Sequence, residues 1–252
     1  MKFQILSDLH LDFPLNAKIF AEYYLLTNEN IAADKLIIAG DTCSYNAKQR
    51  TLISQLASKY KFLIEVPGNH DNYNLSHDWP FASYSDKGIN YSQYYLNNCY
   101  VHFDNIRIIC STLWSNIQFE IPYIVKGISD YHYIQGYNVM LNNRRFNDSI
   151  YFIEQALKTT PDDMKCIVVT HHLPLLELIS ARYAHDKLNE AFASNLYNLV
   201  EEYTDKIPYW IHGHSHDFKE LKVLNTTFVR NPMGYLEYEE GKKFNNKFII
   251  EV

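Results

Sequence analysis

The chain has no uncharged apolar run near the roughly 18 residues that a membrane-spanning helix needs. Its opening stretch, MKFQILSDLH, reaches Asp8 before the apolar core of a secretory signal could form. A membrane-embedded protein is thereby disfavoured and a cytoplasmic one is expected. Cysteine is scarce: Cys43, Cys99, Cys110 and Cys166 stand far apart and form no CxxC pair. That spacing excludes a thiolate zinc site and argues against a disulfide framework, leaving free thiols in a reducing compartment. Basic residues are also thin. Lys and Arg number 23 against 29 Asp and Glu, for a net charge of -6, and they cluster only in pairs such as Arg144-Arg145 and Lys242-Lys243. With no basic stripe to follow a phosphate backbone, nucleic acid is not an expected partner. Internal repeats, low-complexity tracts and Pro/Gly/Ser linkers are missing too, so one domain over 1–252 is expected.

What is abundant is aromatic and aliphatic. Tyr occurs 21 times and Phe 14 times in 252 residues, enough for a large core and a cleft wall and incompatible with disorder. Short apolar runs recur as KFQIL (2–6), KLIIA (35–39), KFLIEV (61–66), RIICSTLW (107–114), CIVVT (166–170), YWIH (209–212) and KFIIEV (247–252). Their length, β-branched content and near-continuous apolar character predict strands buried on both faces. Between them, 47–60, 148–158 and 189–203 show apolar residues at helical spacing. Strand and helix alternate, as in an α/β domain with helices covering sheet faces. Two polar-aromatic stretches, near 72–99 and 115–147, break the pattern and are expected as loop insertions over the active-site end.

Polar chemistry collects where the apolar runs stop. After KFQIL comes Ser7-Asp8-Leu9-His10, and after KLIIA comes Gly40-Asp41. The third run leads into Gly68-Asn69-His70-Asp71, CIVVT into His171-His172, and YWI into His212-Gly213-His214-Ser215-His216. The carboxyl ends of strands are where open α/β sheets bind ligands, so these five ends are expected to meet at one site. Asp8 and His10 are two apart, as are His214 and His216, a spacing that on extended backbone sends both side chains to one side. Gly40, Gly68 and Gly213 each precede a candidate ligand, where lack of a side chain permits a tight turn.

Carboxylate, carboxamide and imidazole donors without thiolate suit borderline divalent ions such as Mn, Fe or Zn. Asp8, His10, Asp41, Asn69, one of His171 and His172, His214 and His216 are too many donors for one tetrahedral site. A shared Asp41 would let two ions sit about 3.5–4 Å apart. Two divalent ions, less two Asp charges and one bridging hydroxide, leave about +1 and attract a phosphate ester. The hydroxide would attack phosphorus in line, and His70, beside the ligands, would protonate the departing oxygen as general acid.

Taken together the blocks resemble the calcineurin-like metallophosphoesterase superfamily, whose pattern is D-x-H, G-D, G-N-H-[DE], an isolated H and G-H-x-H. All five occur here in order between Asp8 and His216. The resemblance implies a four-layer α/β sandwich, two mixed β-sheets packed face to face with helices outside. It assigns Asp8, His10, Asp41 and His216 to one divalent ion and Asp41, Asn69, His171 and His214 to the other, with His70 as the acid. It favours His171 over His172. VTHHLP, RYAHDKLNEAF and RNPMGYLEYEE further resemble a branch of small bacterial cytoplasmic members. The protein Ser/Thr phosphatases of the superfamily read G-D-x-x-D-R-G and GNHE, where this chain reads GDTCSYN and GNHD. The Asp that orients the catalytic His and the Arg that grips phosphate are therefore missing at those positions, and no partner for His70 is assigned.

The remaining residues carry weaker signals. His212 is expected in packing, Trp114 in the core, and His77, His102, His132 and His185 on the surface or in loops. Arg182 is as readily a solvated arginine as a phosphate contact, and Asp130 and Tyr131 in the insertion and Asn231 and Tyr235 in the tail are candidates for shaping the pocket, none of them assigned singly. The expected activity is hydrolysis of a phosphomonoester or phosphodiester of a small molecule or nucleotide. The alternatives are a protein Ser/Thr phosphatase, a small-molecule pyrophosphatase, and a non-catalytic scaffold of the same fold. A nuclease is disfavoured by the charge. No substrate-binding residue and no oligomeric state is assigned.

Overall fold

The computed structural model describes residues 1–44, 48–76, 84–87, 92–238 and 242–252. Residue 47 of the expected first helix, His77, and parts of the 72–99 insertion lie outside the described residues. The strands in chain order are β1 (Lys2–Leu6), β2 (Lys35–Ala39), β3 (Phe62–Val66), β4 (Tyr84–Lys87), β5 (Ser92–Tyr95) and β6 (Cys99–Phe103). There follow β7 (Ile106–Ser111), β8 (Lys165–Thr170), β9 (Tyr209–Ile211), β10 (Lys219–Val223), β11 (Thr226–Arg230) and β12 (Ile249–Glu251). The α-helices are α1 (Pro14–Phe20), α2 (Arg50–Ala57), α3 (Ile121–Gly127), α4 (Asp130–Tyr133), α5 (Val139–Lys158) and α6 (Tyr197–Tyr203).

The strands form two sheets, ordered β12-β1-β2-β3-β5-β4 and β10-β11-β9-β8-β7-β6. In the first, β1, β2, β3 and β5 are parallel and both edge strands antiparallel. The second repeats the scheme, with β11, β9, β8 and β7 parallel between antiparallel β10 and β6. Mixed sheets of this kind have parallel centres that must be covered on both faces, and here they are. Phe3, Ile5, Ile37, Ile64 and Val66 meet Ile108, Ile167, Val169, Ile211 and Val229 between the sheets. Alternate residues of the same strands, Leu6, Leu36, Ile38 and Leu63, pack outward under α1, the π-helical turn Ala21–Leu25 that continues it, and α2, through Phe20, Tyr24, Ile53 and Leu56. On the other side Ile109, Val168, Trp210 and Phe228 are covered by Phe146, Ile153 and Leu157 of α5 and Leu199 and Val200 of α6. Each fully buried large aliphatic side chain contributes about 1.5–3 kcal/mol, so three continuous apolar layers fix the four-layer sandwich.

Several boundaries differ from expectation. The strand expected over 107–114 ends at Ser111, because Leu113 and Trp114 take left-handed backbone (φ 70° and 58°) and turn the chain toward the site. The helix expected from 148 starts at Val139, capped by Asn138, whose side chain accepts from the Leu141 N–H at 3.0 Å. The polar run NNRR on its first turns hid that start. The helix expected over 189–203 is a 3-10 turn, Asn189–Ala191, and then α6. Ala193 between them bridges to Leu173 as a strand would, which interrupts the helix. The insertions are not structureless either: β4 and β5 extend the first sheet, and α3 and α4 occupy 121–133.

Candidate active site

Parallel order brings the C-terminal ends of β1, β2 and β3 to the same edge as those of β8 and β9. Backbone bonds lock the loops there. The Asp8 N–H donates to the Gly40 carbonyl and the His10 N–H to the Asp41 carbonyl, each at 3.0 Å. Gly213 N–H donates to the His171 carbonyl at 3.0 Å within the second sheet's edge. Across the two sheets, His171 Nδ1 faces the Ala39 carbonyl at 3.0 Å and the His214 N–H donates to Asp8 Oδ1 at 2.8 Å.

The convergence is not produced by extended backbone, as the two-residue spacings suggested. Asp8, His10, Asp41 and His214 all have positive φ (52°, 45°, 52° and 68°). Asp and His tolerate the left-handed region better than most residues, yet each such position costs of order 1–3 kcal/mol and survives where the surroundings over-determine it. The strain curls each loop so that alternate side chains turn inward while Leu9 is buried behind them. Close approach is equally demanding: a Cβ on Gly40 would lie 2.1 Å from His171 Nδ1, and one on Gly68 would lie 2.0 Å from Asp41 Oδ1.

Asp8, His10, Asp41, Asn69, His70, His171, His214 and His216 are thereby brought into one cluster. Nitrogen and oxygen donors of Asp8, His10 and His216 lie within 4.8 Å of one another, and so do those of Asp41, His171 and His214. Asp41 stands between the groups, with Oδ2 3.8 Å from His10 Nε2 and Oδ1 3.3 Å from His171 Nε2. Asn69 Oδ1 is 3.0 Å from His171 Nε2. His10 Nε2 and His216 Nε2 face each other at 3.1 Å, close enough for a hydrogen bond between neutral rings of opposite tautomer or for both to turn a lone pair to one cation. Asp8 Oδ2 is buried without a hydrogen-bond partner among the described residues.

Charge in the cluster is distributed accordingly. Burial holds His10 and His214 well below the usual imidazole range, so both are neutral and able to donate a lone pair. Burial also opposes charge on His171, but the Asp41 carboxylate and its hydrogen bond prevail and raise His171 to about 9. Burial likewise pushes Asp41 upward, but His171, then His10 and His70, outweigh it and hold that carboxylate well below its ordinary range. The positive charge beside Asp41 is thus a proton on His171, which a divalent ion must displace.

His70 lies beside the cluster, and its partner, unassigned from sequence, is Asp12: His70 Nε2 is 2.7 Å from Asp12 Oδ2. Burial disfavours the charged ring, but the Asp12 hydrogen bond and the charges of Asp41, Asp12 and Asp71 raise its pKa above the usual imidazole value. The backbone N–H of His70 donates to Asp41 Oδ1 at 2.9 Å. The last residue of GNHD anchors the loop, with Asp71 Oδ2 accepting from the Gly68 N–H at 2.8 Å. Asp71 in turn faces Arg50 Nη1 at 3.4 Å, and Arg50 grips Glu65 bidentately at 2.7 and 2.9 Å.

Asp12, Arg50 and Tyr73 escaped sequence reading, and Asp130 was expected only among residues that could shape the pocket, with no role of its own. Asp12 continues the two-residue spacing Asp8–His10–Asp12, and that signal was available. Asp130 has no such signal. It comes from α4, is buried, and accepts from Asn69 Nδ2 at 2.7 Å and from the Tyr73 hydroxyl at 2.9 Å. The Tyr73 ring packs on His70 with centroids 4.4 Å apart, and Tyr235 packs on His10 at 4.3 Å. His172 is buried between Trp114 and His214, with Nδ1 3.3 Å from the Thr112 carbonyl, and His212 is fully buried. His102, His132 and His185 are exposed, and Trp114 belongs to the core. A cleft of about 390 Å³ opens from Asp41, Asn69, His214 and His216. Its outer wall includes Arg182, Asp130 and Tyr235.

The sequence profile of the calcineurin-like phosphoesterases matches residues 1–218. An uncharacterized protein of Acanthamoeba polyphaga mimivirus is 28% identical over 242 residues, covering 86% of this chain and 83% of that one. The phosphopantetheinyl hydrolase PptH of Mycobacterium tuberculosis superposes with a TM-score of 0.69 at 15% identity, over 94% of this chain and 90% of that one. A Staphylococcus aureus structure described as a 5′-nucleotidase gives 0.50 at 15% identity over 91% of this chain, which spans only 48% of the longer molecule. No helix among the described residues is long and apolar enough to cross a membrane. With five ordered motifs gathered at one edge of the two-sheet sandwich and the profile spanning most of the sequence, the chain belongs to the calcineurin-like phosphoesterase family of metal-dependent hydrolases.

Proposed function

We propose that this protein hydrolyses a phosphomonoester or phosphodiester of a small molecule or nucleotide at a pair of divalent ions. One observation carries the reading: the single carboxylate of Asp41 presents one oxygen to each of two separate His-containing donor groups. Asp8, His10, Asp41 and His216 would hold one ion, and Asp41, Asn69, His171 and His214 the other. The residues fit such ions. They include an unpartnered buried carboxylate oxygen, a facing imidazole pair and no thiolate, a donor set suited to Mn, Fe or Zn. When bound, the ions would lower the pKa of water and neutralise charge on phosphoryl oxygens.

The chain's own groups supply the rest. Asp12 accepts from His70 Nε2 and so favours the doubly protonated ring, and His70 would deliver the proton on Nδ1, which has no hydrogen-bond partner among the described residues, to the departing alcohol oxygen. Packing between Tyr73 and His10 fixes the plane of the His70 ring. Four unpaired cysteines, three of them buried, support a reducing, cytoplasmic setting.

Elemental analysis of the purified protein, followed by assays of an aryl phosphate and its bis-aryl diester with added Mn, tests the reading. Two ions per chain and cleavage of at least one ester are expected; inertness toward both with every divalent metal defeats it. A second expectation concerns Asp130, which fixes the Asn69 amide so that Oδ1 turns toward His171. Groups that orient ligands in this way typically contribute 10–100-fold to metal affinity. Calorimetric titration of Asp130→Ala with Mn should show a loss of about that size at one site, and unchanged affinity at both sites would rule the role out.

A further inference from the structure

The cleft beside the donor cluster has a wall built by two segments that the motifs do not include. One is the turn 127–130 after α3; the other runs from 179 to 192. They are joined before any substrate arrives. The N–H groups of Gln118 and Phe119 donate to Glu190 Oε2 at 3.2 and 2.8 Å, and Lys187 lies 3.4 Å from Glu120. A Cβ on Gly127 would stand 3.1 Å from Leu188, and Ile117, Ile124 and Ala191 form a small core beneath. A preformed wall of this kind, around about 390 Å³, is within the range of small-molecule sites.

Its chemistry is specific. Ile128, Ile179, Leu188 and Phe192 line it, with Tyr183 and Tyr235 adding ring faces. Among the described residues Arg182 is the one Lys or Arg that lines the cleft, and its guanidinium lies over the Tyr183 ring at 4.6 Å. Asp186 and Asp130 share the same surface. Polyphosphate groups are gripped by several arginines or lysines, and one cation in a cleft also lined by Asp41, Asp130 and Asp186, in a chain of net charge -6, does not provide that.

We infer that this cleft takes the alcohol half of the substrate and selects a ring-bearing, predominantly apolar alcohol without additional anionic groups. This rests on the hydrolysis proposed above and goes beyond it by naming the substrate class. Small alkyl esters leave the apolar wall bare, whereas a polyanionic alcohol brings charge to a surface that already holds carboxylates.

The Mn-loaded full chain is assayed with ethyl and benzyl phosphate, whose leaving alcohols are similar in acidity, and with 2-naphthyl phosphate against its disulfonated analogue. Burying one ring should favour benzyl over ethyl by about tenfold or more in kcat/KM, mainly through KM. The sulfonates should reverse the gain on the naphthyl ester. Leu188→Asp and Ile128→Ser, two variants so that misfolding of one is not decisive, should bring the benzyl-to-ethyl ratio toward one. Binding of benzylphosphonate against ethylphosphonate gives the same comparison without turnover. Equal handling of both alkyl esters and both phosphonates, or preference for the disulfonated ester, overturns the inference and leaves the hydrolysis intact. Failure to cleave any ester, with benzylphosphonate still preferred, overturns the hydrolysis and leaves the cleft's selectivity standing.

Discussion

Asp41→Asn should reduce kcat/KM for an aryl phosphate by about 10³-fold or more, even with Mn in excess. A metal centre supplies several kcal/mol of charge stabilisation, and each 1.36 kcal/mol is tenfold in rate. The substitution keeps the shape. The amide oxygen can still accept from the His70 N–H, the bond that Asp41 Oδ1 now accepts at 2.9 Å. That choice turns the amide NH₂ into the place of Oδ2, 3.8 Å from His10 Nε2, where a donor replaces a negatively charged acceptor. The variant should therefore fold, with an unchanged circular dichroism spectrum, and elemental analysis should give fewer than two ions per chain. Full activity in Asp41→Asn would remove the shared carboxylate from the proposal, and with it the ion pair.

The ease with which the site is read from the sequence follows from what fixes each residue. Asp8, His10, Asp41, Asn69, His171, His214 and His216 stand out because metal-type donors end otherwise apolar runs, and because parallel strands end on one edge. Strands covered on both faces follow from runs that are apolar at nearly every position, whereas the four-layer arrangement follows from the family resemblance that the motifs carry. What stayed hidden depends on contacts between distant segments. Asp130 looks like any loop acid until α4 folds it onto Asn69 and Tyr73. Arg50 reads as an exposed helix-start residue, yet it links Glu65 of β3 to Asp71. The left-handed backbone at Asp8, His10, Asp41 and His214 leaves no compositional trace beyond Asp and His being tolerant of it. The start of α5 is masked because NNRR sits on its first turns, where the buried Asn142 puts a polar residue, bonded to the Ser115 carbonyl and the Tyr137 hydroxyl, on the face that the apolar period would mark.

His70→Ala should lower kcat by about 10²–10⁴-fold, the usual contribution of a positioned general acid, with metal content unchanged. The ring packs 4.8 Å from the His10 centroid and its side-chain hydrogen bond goes to Asp12, although His10, Asp12 and His70 also bring donor atoms within 4.8 Å of one another. The defect should depend on the leaving group. An alkyl ester, whose alkoxide cannot depart unprotonated, should suffer most, and a nitrophenyl ester least. Asp12→Ala should show the same leaving-group pattern with a smaller loss, because it removes the group that holds the ring and its proton without removing the acid. If the two act as one unit, the double variant should be no slower than His70→Ala alone, since residues that work together are not additive. Additive losses would separate Asp12 from His70. Loss of an ion in His70→Ala would instead make the imidazole a ligand, and a uniform loss across leaving groups would leave the departing oxygen to be protonated by water.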